Sequence, residues 1–151
     1  MTAVTATTTI AAAPEQVLKL LIDPDACAAW SPVAFELDAL DGPYLDAGSR
    51  ARVSGALAGR RLTFDVLVHR ADEYGVELEA AGAFRMDVRY ALRRIDGGTE
   101  LRADVAVGSA ASLAGRLLLP ALKALLAAGV LGQTLARISV AASECECVAT
   151  A

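Results

Sequence analysis

The chain has 151 residues, a length that suits one domain with a substantial core and is too short for two comfortable ones. A hydrophobic content of 55% excludes disorder, and a net charge of -4 with no run of Lys or Arg argues against nucleic acid as a partner. The opening MTAVTATTTI lacks the basic-then-apolar pattern of a secretory signal, which makes a cytoplasmic location the expectation.

In chain order, Val4 to Ile10 alternates threonine with apolar or small residues and reads as a strand. Pro14 then suits a first helical turn, with the apolar run Val17, Leu18, Leu20, Leu21 and Ile22 behind it. Asp23-Pro24 ends that helix and can cap a second short one, Asp25 to Trp30, which Ser31-Pro32 breaks. Val33 to Leu40 reads as a strand closed by Asp41-Gly42-Pro43. Four further strands follow at hairpin spacing: Ser49 to Leu57, Arg60 to Arg70, Val76 to Ala81 and Phe84 to Ile95. Asp96-Gly97-Gly98 turns the last of these into Thr99 to Gly108. Successive strands with short turns make an antiparallel meander, which needs one face covered.

The stretch from Ser109 to Ser143 is the longest with helical character. At 100° per residue, Ser109, Ser112, Arg116, Lys123, Thr134 and Arg137 fall on one narrow stripe. Leu118, Leu125, Gly129, Gly132 and Ala136 lie opposite and are expected to face the sheet, the small residues Gly129, Gly132 and Ala136 either admitting close approach of another backbone or leaving room for a ligand. Arg116 and Lys123 argue against a membrane span in this stretch, and Pro120 marks a kink or restart. Contact with a membrane surface or a second copy of the chain are the lesser alternatives, so monomer and homodimer both stay open. The expected layout is α+β, with a domain over residues 1–144 and a short tail at 145–151 holding Cys145 and Cys147 outside the helical pattern.

Alternation sorts the side chains. Leu62, Phe64, Val66 and Val68 share a face with Arg70, while Arg61, Thr63, Asp65 and His69 take the other and Leu67 is the exception. Phe84, Met86, Val88, Tyr90 and Leu92 oppose Arg85, Asp87, Arg89 and Arg93. Leu101, Ala103, Val105 and Val107 oppose Glu100, Arg102 and Asp104. The inner surface is therefore apolar, with Arg70 and the Tyr90 hydroxyl among its few polar features. No metal-ligand spacing, phosphate loop or nucleophile triad stands out: Cys27, Cys145 and Cys147 with the single His69 make a poor zinc set, and no cofactor is implied.

The order of elements resembles the helix-grip fold of the START-like (SRPBCC, Bet v 1-like) superfamily, with about seven strands curled around a long C-terminal helix and two short helices after the first strand. The residues that carry the likeness are A-A-P-E-Q-V at Ala12 to Val17, D-P-D-x-x-x-x-W at Asp23 to Trp30, and G-G-T-E-L at Gly97 to Leu101. Val68-His69-Arg70 and Tyr90 are similar to strands of the polyketide cyclase/dehydrase and aromatase group. The sequence departs from that group at Glu77 and Glu79, where a second basic residue is expected, and at Ala103, where an aromatic is.

The resemblance implies a cavity for a hydrophobic small molecule. Arg70 is then either a strand-end arginine reaching solvent beside the turn at Asp72 or an anchor that stabilises a carboxylate, phenolate or enolate, and Tyr90 is either plain core or a group that relays a proton or donates a hydrogen bond. Trp30, Phe35, Phe64, Val66 and Val68 would line the cavity on one side. Phe84, Met86, Val88, Leu125 and Gly129 would complete it. A cyclase/dehydratase acting on a biosynthetic intermediate is the first expectation. A non-catalytic, CoxG-like carrier or sensor of lipid-like ligands, or an interaction protein using its apolar helix, are the alternatives.

Overall fold

A computed structural model describes residues 2–26, 35–57, 60–82, 84–110 and 129–150, together with helical positions 116, 120, 123, 124 and 127. The elements are β1 (Thr2–Ile10), α1 (Pro14–Ile22), β2 (Phe35–Leu40), β3 (Arg50–Leu57), β4 (Arg60–Asp72), β5 (Gly75–Ala81), β6 (Phe84–Ile95), β7 (Gly98–Ala110) and a C-terminal helix, α2 (Val130–Thr150). The strands form one seven-stranded sheet in the order β1-β7-β6-β5-β4-β3-β2. Every pairing is antiparallel. The meander places β2 at one edge, and β1 returns beside β7 at the other, from Thr2 opposite Val107 to Ile10 opposite Thr99. This is the expected α+β helix-grip architecture.

Local chemistry explains the element ends. Pro14 opens α1 where its missing N–H costs nothing, and the Gln16 side-chain oxygen accepts the Ala13 N–H at 3.2 Å. At the other end Asp23 leaves the helical conformation ahead of Pro24, and its carboxylate accepts the Asp25 N–H at 3.0 Å. Residues 24–26 are helical, while the rest of the second short helix lies outside the described residues.

The G-G-T-E-L segment has a structural basis. Gly97 turns at φ 80, and a Cβ on Gly98 would stand 2.1 Å from the carbonyl oxygen of Ile10. Thr99, fully buried, donates its hydroxyl to the Ala12 carbonyl at 2.7 Å. The turn thus lets β7 lie tightly against the end of β1 and ties it to the entry of α1.

The C-terminal region departs from the expected single helix. The last strand runs on through Ser109 to Ala110, and Gly129 adopts a left-handed φ of 88 immediately before α2 begins. That break resets the helical phase. Leu131, Thr134, Leu135, Ile138 and Ala142 are buried, whereas Gly129, Gly132 and Ala136, expected to face the sheet, are exposed. Thr134 is buried without an orphaned hydroxyl because it donates to the Val130 carbonyl at 2.9 Å. The helix also continues to Thr150, so Cys145 and Cys147 stand on it and not beyond it. It packs on β1, β7 and α1, and its buried face joins Ile10, Val17, Val68, Val76, Leu101 and Val107 in one core. Among the described residues, no helix is long and apolar enough to cross a membrane.

Candidate ligand-binding face

Cross-strand partners share a face, so the registers define the inner surface directly. One row runs Val66, Ala80, Met86, Val107. The next runs Val68, Leu78, Val88, Val105, Val4, and a third contains Ala71, Val76, Tyr90, Ala103 and Ala6. All are uncharged. Within this surface Phe64, Val66, Leu78, Met86, Val88 and Tyr90 are only half-buried, while Val68, Val76, Ala103 and Val107 beside them are closed off. Phe84 is buried and meets Phe64 edge-to-face, with ring centroids 5.2 Å apart. The half-buried stripe is thus a continuous apolar wall with a phenol at one end.

This arrangement brings together the expected Phe64, Val66, Val68, Phe84, Met86, Val88 and Tyr90. Phe35 opens β2 opposite Gly55. Trp30 and Leu125 lie outside the described residues. Gly129 is exposed in the turn before α2, with nothing near enough to touch an added Cβ, so it does not line the face. Leu78 is a wall residue that the sequence reading did not single out. Its signal was available in the V-E-L-E alternation of Val76 to Glu79.

Arg70 is placed on the opposite face. Alternation along β4 predicts it inward, but the β4–β5 ladder passes from Val68 opposite Leu78 to Arg70 opposite Glu77, leaving His69 as an extra, unmatched residue. The bulge turns every later position over, so that Ala71 points inward beside Val76 and Arg70 points outward. Its guanidinium lies 3.0 Å from Asp72 and 3.9 Å from Glu77. The pairing with Asp72 holds that carboxyl below its ordinary range, with the hydrogen bond from Arg70 as the largest cause. Arg70 is correspondingly raised, chiefly by the same bond.

The outer face is a lattice of such pairs. Arg52 meets Asp65 at 3.0 Å, Arg61 meets Glu36 at 2.8 Å, and Arg89 meets Glu77 at 2.8 Å. Glu79 receives Arg85 at 2.6 Å and His69 at 3.5 Å. Asp65 therefore engages Arg52 and not His69, and no base–acid couple forms there. A depression of ≈ 710 Å³ among Arg50, Arg52, Asp65, Leu67 and Glu79 also lies on this side, open to solvent. It houses Leu67, the residue that broke the alternation.

Comparison with known proteins agrees with the fold. Residues 1–139 match the family described as polyketide cyclase / dehydrase and lipid transport. TTHA0849 from Thermus thermophilus superimposes with a TM-score of 0.72 at 19% identity, covering 95% of this chain and 99% of that one. CV1439 from Chromobacterium violaceum gives 0.68 at 16% identity, covering 93% and 96%. Ara h 8.0201 gives 0.55 at 12%, covering 89% and 98%. A search of curated proteins finds no match. With the helix-grip sheet, the G-G-T-E-L turn and a family match across nearly the whole sequence, the chain belongs to the polyketide cyclase/dehydrase and lipid transport family of the START-like (SRPBCC) superfamily.

Proposed function

We propose that the protein binds a hydrophobic small molecule against the inner face of its sheet and holds it there. The observation that carries this is the half-buried apolar stripe of Phe64, Val66, Leu78, Met86, Val88 and Tyr90, set among neighbours that are closed off. Apolar side chains in a folded interior are expected to be covered, and a stripe left partly open is a surface that a ligand can finish. The outward Arg70 removes the expected charge anchor, so the reading favours holding and delivery of the ligand over enolate chemistry driven by a cation.

The test is native mass spectrometry of the gently purified protein, followed by extraction of any bound molecule. An apolar small-molecule adduct that is lost in Val88→Trp, which fills the wall, supports the reading. An adduct that survives Val88→Trp unchanged overturns this location.

The inward Tyr90 favours a second reading, in which the protein shapes a polyketide-like intermediate for ring closure. Holding a flexible chain in a reactive conformation contributes to cyclisation without covalent catalysis, and the phenol could polarise a ligand carbonyl. In that case Tyr90→Phe lowers turnover of a ketide substrate while leaving its binding intact.

A further inference from the structure

We infer that this protein selects uncharged ligands, discriminating against anionic molecules of the same shape. The inference rests on the proposed binding face and assigns the chemical class of what that face accepts. Among the described residues, the rows of the wall from Val4 and Ala6 on β1 across to Val53 on β3 are uncharged, and the charged inward register positions lie at strand ends: Arg60 opposite Leu57, and Arg94 opposite Thr99, where Glu15 of α1 engages it at 2.9 Å. On the other face Arg52, Arg61, Arg85 and Arg89 each meet a carboxylate.

The described charges on the helices are exposed, and Glu15 of α1 is engaged by Arg94. Glu15 and Lys19 on α1 are not buried, nor are Arg116, Lys123 and Arg137. The sequence from 27 to 34, CAAWSPVA, contains no charged residue. Arg70, which unbroken alternation would turn inward beside the wall, is carried out by the His69 bulge and engaged by Asp72 and Glu77. A carboxylate, sulfonate or phenolate pressed against such a wall loses its hydration and finds no cation to replace it. A neutral alcohol, ketone or hydrocarbon loses little.

The test uses the full chain with the neutral fluorophore N-phenyl-1-naphthylamine, displaced by 1-decanol or by decanoate at pH 8. Decanol should displace the probe at a concentration about tenfold or more below decanoate, given the cost of desolvating a carboxylate. Lowering the pH until decanoic acid is protonated should close the gap. Arg70→Ala should leave the ratio unchanged. Decanoate displacing the probe as well as decanol at pH 8, with both effects lost in Val88→Trp, overturns the selectivity while leaving the binding face in place. A probe that fails to bind, or binds Val88→Trp equally well, overturns the binding face itself and the selectivity with it.

Discussion

Arg70 stands opposite Glu77 across the β4–β5 pair, with its Nε 3.0 Å from Asp72, on the face of the sheet turned away from the helices. Its role is therefore electrostatic and local to the hairpin. Asp72 accepts the Arg70 guanidinium and, through its other oxygen, the backbone N–H groups of Tyr74 at 2.8 Å and Gly75 at 3.1 Å. The carboxylate organises the turn as well as the ion pair.

The pH dependence follows from that environment. Because the folded protein holds Asp72 below its ordinary value of 3.8, Asp72 stabilises the fold fully above that pH and loses the contribution as pH falls through the lowered value. Arg70→Ala should lower the Tm at neutral pH, and the difference from the parent should shrink below about pH 4, where the unfolded carboxyl also takes up a proton. Thermal melts from pH 2 to 7 read this directly. A difference that stays constant across the series would show that Arg70 acts through something other than the Asp72 charge.

The bulge itself can be tested by deletion. His69 is the residue without a ladder partner, so removing it leaves Val68 opposite Leu78 and Arg70 opposite Glu77. Deleting Leu67 instead would turn the fully buried Val68 outward and bring His69 in. The His69 deletion should unfold cooperatively near the parent midpoint in urea, while the Leu67 deletion should lose about 2 kcal/mol or more, the value of one buried valine. Equal losses for the two would mean that the register is not set by this bulge.

How much of this was legible in the sequence depends on the kind of signal. Strands with clean alternation gave their bounds and faces: Phe84–Ile95 falls where it was expected, and Met86, Val88 and Tyr90 point inward. Alternation fails where one residue is inserted, and nothing in L-V-H-R-A-D marks His69 as the extra one. The pairing that makes it a bulge comes from β5, a long-range contact that a period-two pattern does not contain. The helical wheel failed for a similar reason. One helical phase fits the sequence from Ser109 to Ser143, but Gly129 breaks the helix and the buried face of α2 starts afresh at Leu131. The wall residue Leu78 needed only the alternation of β5, which was there to be read.

Core and wall positions should respond differently to truncation. Leu101 is fully buried between β1 and β6, and Leu101→Ala should cost about 2–5 kcal/mol in urea unfolding. Leu78, half-buried on the wall, leaves less of a cavity when shortened, so Leu78→Ala should cost less while altering displacement of N-phenyl-1-naphthylamine. If Leu78→Ala were as destabilising as Leu101→Ala and left probe binding untouched, the stripe would be ordinary core.

The Gly97–Leu101 segment offers the sharpest test of why a short sequence pattern accompanies this fold. Gly98 has an ordinary backbone, so its need is one of space: a methyl group there would sit 2.1 Å from the Ile10 carbonyl oxygen and 3.1 Å from Ala11 Cα, both main-chain atoms that cannot rotate aside. Gly98→Ala must therefore part β7 from the end of β1, at an expected cost of about 1–3 kcal/mol. Thr99→Val keeps the shape but leaves the buried Ala12 carbonyl without its hydroxyl donor, for a loss of about 1–3 kcal/mol. The two changes act on the same junction, since the Thr99 hydroxyl reaches Ala12 only while the strands are close. The double variant should lose less than the sum of the singles in urea unfolding. Full additivity would mean that the close approach at Gly98 and the Thr99 hydrogen bond stabilise the junction independently.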